Sequence, residues 1–251
     1  MAIICRKYNL LFIMTPRTAC TAIGELLCTH YDGEYLPCED ILAPDGHIAI
    51  QKKHSTLQEL LQQKLLSAED AKSLLKIASV RNPFDTLVSL YFKQRYKYQP
   101  LLTDPNSWVN RSPAYAKNMR YARTHSFDAW VLRKSVKQLA KRARGTPPSM
   151  FHDYTNGVDV VMRYETINED LREVLTKIGI LKDVSIPLIN RTDERSGDDY
   201  RCFYSRLTKL AVTLAFARDL RDYGYSFRLR EATSRGNLIS VSNRPVTRRV
   251  V

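Results

Sequence analysis

Two short segments of the sequence combine hydroxyl side chains with an arginine. The first is Pro16-Arg17-Thr18-Ala19-Cys20-Thr21, and the second runs from Arg81-Asn82-Pro83 to Ser89 and Tyr91. Each follows an apolar run and precedes a helical pattern, so each marks a strand–turn–helix junction. Such a turn exposes free backbone N–H groups at the positive end of a helix dipole, where phosphate binds well. Two junctions of this kind predict a ligand with two separated phosphate groups.

The first segment differs from the phosphate loop of ATPases. A Walker A loop needs Gly-x-x-x-x-Gly-Lys-Ser/Thr, whereas residues 15–21 contain no glycine and their cation, Arg17, precedes the helix. No convincing carboxylate for magnesium follows a later strand. We therefore expect a loop that holds phosphate without a metal ion.

Both segments resemble the donor-binding motifs of the sulfotransferases that use 3′-phosphoadenosine 5′-phosphosulfate (PAPS) and release 3′-phosphoadenosine 5′-phosphate (PAP). The family's first motif reads Pro-Lys-Ser/Thr-Gly-Thr/Ser-Thr. Here Arg17 replaces the lysine, Ala19 the frequent glycine and Cys20 a hydroxyl residue. The second motif, Arg-Asn/Asp-Pro-x-Asp/Glu-x-x-Val-Ser-x-Tyr, is matched at every fixed position from Arg81 to Tyr91.

The resemblance implies roles for individual residues. Arg81 and Ser89 would bind the 3′-phosphate of the donor, which suits a forked guanidinium and a hydroxyl two helical turns further on. The alternative for Arg81 is a surface ion pair with Asp85 at a strand-ending turn. A loop at 188–197 would close over the adenosine. The implied donor-binding residues are Arg17, Thr18, Ala19, Cys20, Thr21, Arg81, Ser89 and Arg195.

A candidate base lies between the two motifs, in Gln51-Lys52-Lys53-His54. This segment is similar to the Lys-x-His segment of cytosolic sulfotransferases, which implies that His54 is the general base and that Lys52 assists near the transferred group. His47 is the rival base, because uronosyl 2-O-sulfotransferases use a histidine in a Gly-His segment. A carboxylate, as in some sugar sulfotransferases, is the third possibility.

Strand and helix patterns predict an α/β fold, a single P-loop-like domain with a central, mostly parallel sheet flanked by helices. All-apolar strands are typical of a sheet that is covered on both faces, and their alternation with helices favours parallel pairing. The predicted strands are 10–14, 76–80 and 158–162, with Ile3-Ile4 as a hairpin arm. The predicted helices are 21–30, 55–64, 67–75, 84–96, 127–144, 169–178 and 198–223.

Two further segments are candidates for acceptor binding. Residues 98–125 contain three prolines among Tyr, Asn and Arg and are predicted as a long loop, which in a compact domain lines a site or is disordered. The basic helix 127–144 is either a groove for an acidic acceptor or a solvated face. Arg163-Tyr164-Glu165 is interpreted as structural, with Glu165 buried and paired.

Composition narrows the class of partner. The chain has 251 residues with 39 Lys and Arg against 26 Asp and Glu, a net charge of +13, which favours anionic partners. The five cysteines include no CxxC pair, which argues against a disulfide framework or a zinc site. No run is long enough to span a bilayer, and a cytoplasmic location is expected. We predict a catalytic domain at 1–228 and a mobile basic tail at 229–251.

The sequence therefore predicts in-line transfer of a sulfuryl group to the hydroxyl of an acceptor, which could be a sugar, an acidic compound or another small molecule. One alternative is a nucleotide phosphotransferase on a similar sheet, which the missing Gly-Lys-Ser/Thr disfavours. Another is a non-enzymatic polyanion-binding protein. Nucleic acid is not an expected partner, because no helix-turn-helix, RNA-recognition or zinc-finger pattern occurs.

Overall fold

A six-stranded sheet with helices on both faces forms the centre of the molecule. The computed structural model describes residues 2–46, 48–50, 52–145, 149–180, 186, 199–228 and 239–240. The strands are β1 (Ala2–Cys5), β2 (Leu10–Ile13), β3 (Glu34–Leu36), β4 (Ile41–Leu42), β5 (Ile48–Ile50), β6 (Leu75–Val80), β7 (Val160–Arg163) and β8 (Ile239–Ser240). Strands β4 and β5 form a separate hairpin.

The order of the sheet is β3-β1-β2-β6-β7-β8. Its central strands β2, β6 and β7 are parallel neighbours. Strand β1 forms the predicted antiparallel hairpin with β2, and β3 and β8 pair antiparallel with β1 and β7 at the two edges. The predicted α/β class is confirmed, and the parallel pairing lies at the centre of the sheet, in β2, β6 and β7.

Helices cover the sheet and build a second layer beside it. The α-helices are α1 (Cys20–His30), α2 (Leu57–Gln62), α3 (Ala68–Ser73), α4 (Pro83–Phe92), α5 (Pro113–Thr124), α6 (Phe127–Ala143), α7 (His152–Thr155), α8 (Ile167–Lys177), α9 (Arg206–Ala215) and α10 (Ala217–Asp222). Helices α1 and α8 pack on one face of the sheet, α2 and α3 on the other. Helices α4, α6 and α9 share an aromatic cluster that includes Phe84, Trp130 and Phe216. No helix among the described residues is both long and apolar enough to cross a membrane.

Strand β2 shows why its sequence is apolar without alternation. Leu10 and Phe12 belong to the core cluster beneath α1 and α8, whereas Leu11 and Ile13 belong to the cluster beneath α2 and α3. All four side chains are fully buried. A strand covered on both faces needs apolar residues at every position, and it is therefore a rigid support for the loop that follows it.

Residues 98–125 contain helix α5, so the prediction of a loop through this segment is wrong. Pro113 lies in the first turn of α5, where the missing N–H of proline costs no helical hydrogen bond. The buried face of α5 consists of Ala116, Met119 and Ala122. Two of these three side chains are small, so the apolar stripe is weak in the sequence. The proline resembles a helix breaker, and the sequence pattern therefore predicts a loop.

The predicted helix 198–223 is also wrong as a single element. Residues 200–203 form a 3₁₀ turn, and the helical part is divided into α9 and α10 at Phe216. A new helix begins after Ser205, whose side chain accepts a hydrogen bond from the N–H of Thr208. Phe216 is buried in the aromatic cluster, which anchors the break.

The helix predicted at 84–96 changes type along its length. Its α-helical part ends at Phe92, and residues 93–97 form a π-helical turn that buries Lys93 and Gln94. Within the predicted tail, only β8 is described, and the proposed division at residue 228 stays a prediction.

Candidate active site

The two motifs lie in direct contact at one edge of the sheet. Strands β2 and β6 are parallel neighbours, so the loops that follow them start side by side at the carboxyl ends of the strands. Nη2 of Arg17 donates to Oγ of Ser89 at 2.5 Å, and Nη1 of Arg81 donates to the carbonyl oxygen of Arg17 at 3.1 Å. Oγ of Ser79, near the end of β6, lies 2.7 Å from Oγ1 of Thr18. The donor-binding residues predicted from both motifs therefore share one location.

The loop before α1 is held in a conformation that exposes its amides. Arg17 and Ala19 have φ angles of 71° and 60°, in the left-handed region that costs about 1–2 kcal/mol for a residue with a side chain. Ala19 is the N-cap of α1, and no side chain caps this end. The N–H of Ile23 donates to the carbonyl of Ala19. The amides of residues 20–22 precede the first helical hydrogen bond and can bind an anion.

The side chains of Thr18 and Cys20 face the protein interior. Oγ1 of Thr18 donates to the carbonyl of Thr15 at 2.9 Å, and the residue is fully buried. Cys20 is also buried, and burial raises the pKa of its thiol, which stays protonated. The cysteine that departs from the family motif can therefore contribute its backbone N–H without a reactive thiolate.

Arg17 is a half-buried cation with few partners among the described residues. Burial lowers the pKa of its guanidinium, and its buried Nε has no hydrogen-bond partner. Within the described part of the chain, its one side-chain hydrogen bond goes to Ser89, and no carboxylate pairs with it. A buried, incompletely satisfied charge is costly unless an anion accompanies it. The residues of this loop therefore fit a phosphate or sulfate group.

Arg81 has more protein partners than an arginine whose guanidinium is entirely free to bind phosphate. Its Nε and Nη2 both donate to Oδ2 of Asp85, at 2.8 and 2.6 Å, and its guanidinium lies 4.0 Å from the ring centre of Tyr164. The alternative ion pair with Asp85 is thus present, although it is buried and not on the surface. Because Arg81 also binds the carbonyl of Arg17, it links the two motifs. Two of its five N–H groups remain for an anion.

The turn after β6 is fixed by side chains from three parts of the chain. Oδ1 of Asn82 accepts from the N–H of Phe84, and its amide donates to the carbonyl of Ser226. Glu165 accepts from the backbone N–H of Asn82 and from the hydroxyl of Tyr225, both at 2.8 Å. The expected pairing of Glu165 is therefore confirmed, but the expectation that it is buried is wrong, since the residue is exposed.

His54 lies beside the first loop as a neutral imidazole. Its Nδ1 is 2.9 Å from the carbonyl oxygen of Met14, which can only accept, so Nδ1 carries the proton and Nε2 keeps a free lone pair. Burial, assisted by the charges of Lys53 and Arg17, lowers the pKa of His54 to about 4. Its ring packs edge-on against Tyr154. This imidazole can accept a proton through Nε2 at neutral pH.

Lys52 and Lys53 occupy different surroundings. The backbone N–H of Lys52 donates to Asp40, and its ammonium lies 5.8 Å from the ring centre of Tyr35. The charge of Lys53, by contrast, lowers the pKa of His54. The charge of Lys53 therefore acts on the proposed base, and the role predicted for Lys52 stays a prediction. His47, the rival base, and Arg195 lie outside the described residues.

Sequence reasoning missed a further cation, Lys93. It lies one turn after Ser89, and only 4% of the residue is exposed. Burial, followed by the charge of Arg17, lowers the pKa of Lys93 to about 7. The four-residue spacing from Ser89 was a signal in the sequence, because residues four apart share a helix face.

The α/β fold, in which the hydroxyl and guanidinium groups of the β2 and β6 loops lie together beside a neutral histidine, fits a transferase class. Comparison with known proteins is consistent with this class. The sequence profile described as "Sulfotransferase family" matches residues 1–226 of the chain. The chain therefore belongs to the sulfotransferase family. No protein of curated function and no solved structure matches it significantly.

Proposed function

We propose that this protein transfers a sulfuryl group from PAPS to an acceptor hydroxyl, with His54 as the general base. The observation that carries the proposal is Arg17, a half-buried guanidinium that joins both motifs, has an unpartnered Nε and has no carboxylate partner among the described residues. PAPS would supply the activated sulfuryl group. The acceptor would be a sugar, an acidic compound or another small hydroxyl compound.

Two anion-binding regions support a donor with phosphate at both ends. The first consists of the free amides at the start of α1 with the guanidinium of Arg17, and it would hold the 5′ end. The second consists of Ser89 and the remaining N–H groups of Arg81, and it would hold the 3′-phosphate. Because Arg17 contacts Ser89 directly, the two regions are adjacent.

His54 would take the proton of the acceptor hydroxyl at Nε2. The hydrogen bond from Nδ1 to Met14 fixes the tautomer and orients the ring, and burial keeps the imidazole neutral. General base catalysis of this kind contributes about 10²–10⁴-fold to the rate. Arg17 and the loop amides would stabilise negative charge that develops on the transferred group. Lys53 adds a positive charge near the base, and Lys52 would assist near the transferred group.

Isothermal titration with PAP, ATP and a DNA oligomer tests the proposal against its alternatives. A sulfotransferase binds PAP more tightly than ATP and does not require magnesium. A phosphotransferase would prefer ATP with magnesium, and a polyanion-binding protein would bind DNA with steep salt dependence and no preference for a 3′-phosphate. Transfer of ³⁵S from PAPS to a panel of acceptors then tests the reaction. Absence of PAP binding would refute the proposed function.

A further inference from the structure

Lys93 is a buried lysine that has no counter-ion in the described part of the chain. Among the residues that the structure describes, it forms no side-chain hydrogen bond and no ion pair, and its Nζ lies 5.7 Å from the ring centre of Tyr98. Lysine is rarely buried unless it is paired, and an unpaired buried charge costs several kcal/mol. A lysine at this buried position points to an anionic partner that is not part of the chain.

Hydrogen bonds of neighbouring residues fix the backbone position of Lys93. The N–H of Tyr98 donates to the carbonyl of Lys93 at 2.9 Å, the five-residue hydrogen bond of a π turn. The next residue, Gln94, accepts from the indole N–H of Trp130 at 3.1 Å, and its carbonyl accepts from the side chain of Gln99. Single π turns inside helices are frequent at functional sites. This turn fixes Lys93 on the side of α4 that carries Ser89.

The charged groups that act on Lys93 are mainly cations. Arg17, Lys97 and Lys53 all lower the pKa of its ammonium, and among its described contacts no carboxylate compensates them. Arg17 belongs to the proposed donor site, and Lys53 acts on the proposed base, His54. Lys93 follows Ser89 by one turn, and Ser89 binds Arg17 of the donor loop, so Lys93 lies next to the proposed donor site, where an acceptor would have to approach.

Aromatic side chains line the same region. Tyr98 and Tyr115 both act electrostatically on Arg17, and burial raises the pKa of Tyr115 to about 12, so its hydroxyl stays protonated. Trp108 packs against both rings. These residues belong to segment 98–125 and not to the two donor motifs. The donor phosphates already have the α1 amides, Arg17, Ser89 and Arg81, so the ammonium of Lys93 remains for a different anionic group.

We propose that Lys93 binds a carboxylate or sulfate group of the acceptor and thereby makes the enzyme selective for anionic acceptors. The inference rests on the proposed sulfotransferase function and adds a substrate class to it. In this arrangement Lys93 positions the acceptor so that its hydroxyl reaches Nε2 of His54. Tyr98 and Tyr115 supply a partly aromatic wall, which suits a ring-shaped acceptor.

The test uses two probes that differ by one carboxylate, 4-nitrophenyl β-D-glucuronide and 4-nitrophenyl β-D-glucoside, titrated by NMR into PAP-bound protein. We expect the wild type to bind the glucuronide at least about fivefold more tightly than the glucoside, which corresponds to roughly 1 kcal/mol. Lys93→Met should bind both probes equally, and Lys93→Arg should retain the preference. Lys141→Met, which removes the same charge from an exposed position on α6, should behave as the wild type.

PAP affinity separates the possible failures. Lys93→Met should bind PAP within about twofold of the wild type, which also shows that the variant is folded. A tenfold loss of PAP affinity would assign Lys93 to the donor and overturn the inference. The inference would also be overturned if the wild type bound neither probe or bound both equally. It would likewise be overturned if Lys93→Met kept the preference for the glucuronide. If the wild type fails to bind PAP, the proposed function is refuted and this inference with it; normal PAP binding without a preference refutes the inference alone.

Discussion

Replacement of His54 by Asn tests the half-buried neutral base. The amide nitrogen of Asn can occupy the place of Nδ1 and continue to donate to the carbonyl of Met14, whereas the titrating group and Nε2 are lost. His54→Asn should therefore fold and bind PAP as the wild type does. Its rate of sulfuryl transfer should fall by about 10²–10⁴-fold, because no group remains to take the acceptor proton.

The same variant gives a measurable change in the pH dependence of stability. The pKa of His54 is lowered from 6.5 to about 4 in the folded protein. Between these values the unfolded chain binds a proton that the folded protein does not, so the free energy of unfolding falls as the pH falls from 6.5 towards 4. At pH 4.5 this lowered pKa corresponds to a loss of about 2.5 kcal/mol, which is nearly absent at pH 7.5.

Urea unfolding of both proteins at pH 7.5 and 4.5 measures this difference. Other acid-sensitive groups, such as the buried Asp170 and Asp219 with raised pKa values, are present in both proteins and cancel in the comparison. We expect the stability of His54→Asn relative to the wild type to increase by about 2.5 kcal/mol on going to pH 4.5. No change in this difference would show that His54 titrates near its ordinary pKa, and the argument for a base held neutral by its surroundings would be refuted.

Three further substitutions have expected outcomes that unfolding experiments can check. Lys93→Met should raise the free energy of unfolding by about 4 kcal/mol at pH 7 and below, because the lowered pKa of Lys93 means that its charged form is destabilised in the folded protein. This gain should vanish above pH 10.5, where the lysine is neutral in both the folded and the unfolded state. A variant less stable than the wild type at pH 7 would contradict this. Ala19→Gly should raise the free energy of unfolding by about 1 kcal/mol, since glycine adopts the φ of 60° without strain; equal or lower stability would show that the loop is unstrained. Asp85→Asn should lower it by about 3 kcal/mol by leaving the guanidinium of Arg81 buried without its ion pair, and saturating PAP should restore part of the loss.

The parts of the site that the sequence predicted are those that depend on local pattern and strand direction. The apolar runs that became β2 and β6 predicted two parallel strands. Parallel strands end at the same edge, so the contact between Arg17 and Ser89 follows from topology without knowledge of side-chain positions. The helix predicted at 84–96 begins in the structure at Pro83, because Asn82 is a good N-cap and proline suits the first helical turn.

The parts that the sequence did not predict depend on tertiary packing. The π turn that buries Lys93 is held by two hydrogen bonds to Gln94. One donor, Trp130, is distant in the sequence, and the other, Gln99, bonds at a spacing that no regular helix pattern predicts. The difference between Lys52 and Lys53 arises because Asp40 and Tyr35 bind the first of them. Neighbouring residues of the same type cannot be distinguished by motif alone.

A crystal structure of the protein with PAP is the most direct test of the central claim, that one pocket formed by both motifs holds the two ends of the nucleotide. The account predicts the 5′-phosphate within hydrogen-bond distance of the amides of residues 20–22 and of Arg17, and the 3′-phosphate on Ser89 and Arg81. Nε2 of His54 should face the open side of the 5′-phosphate. PAP bound elsewhere, or with only one phosphate in contact with these residues, would contradict the account.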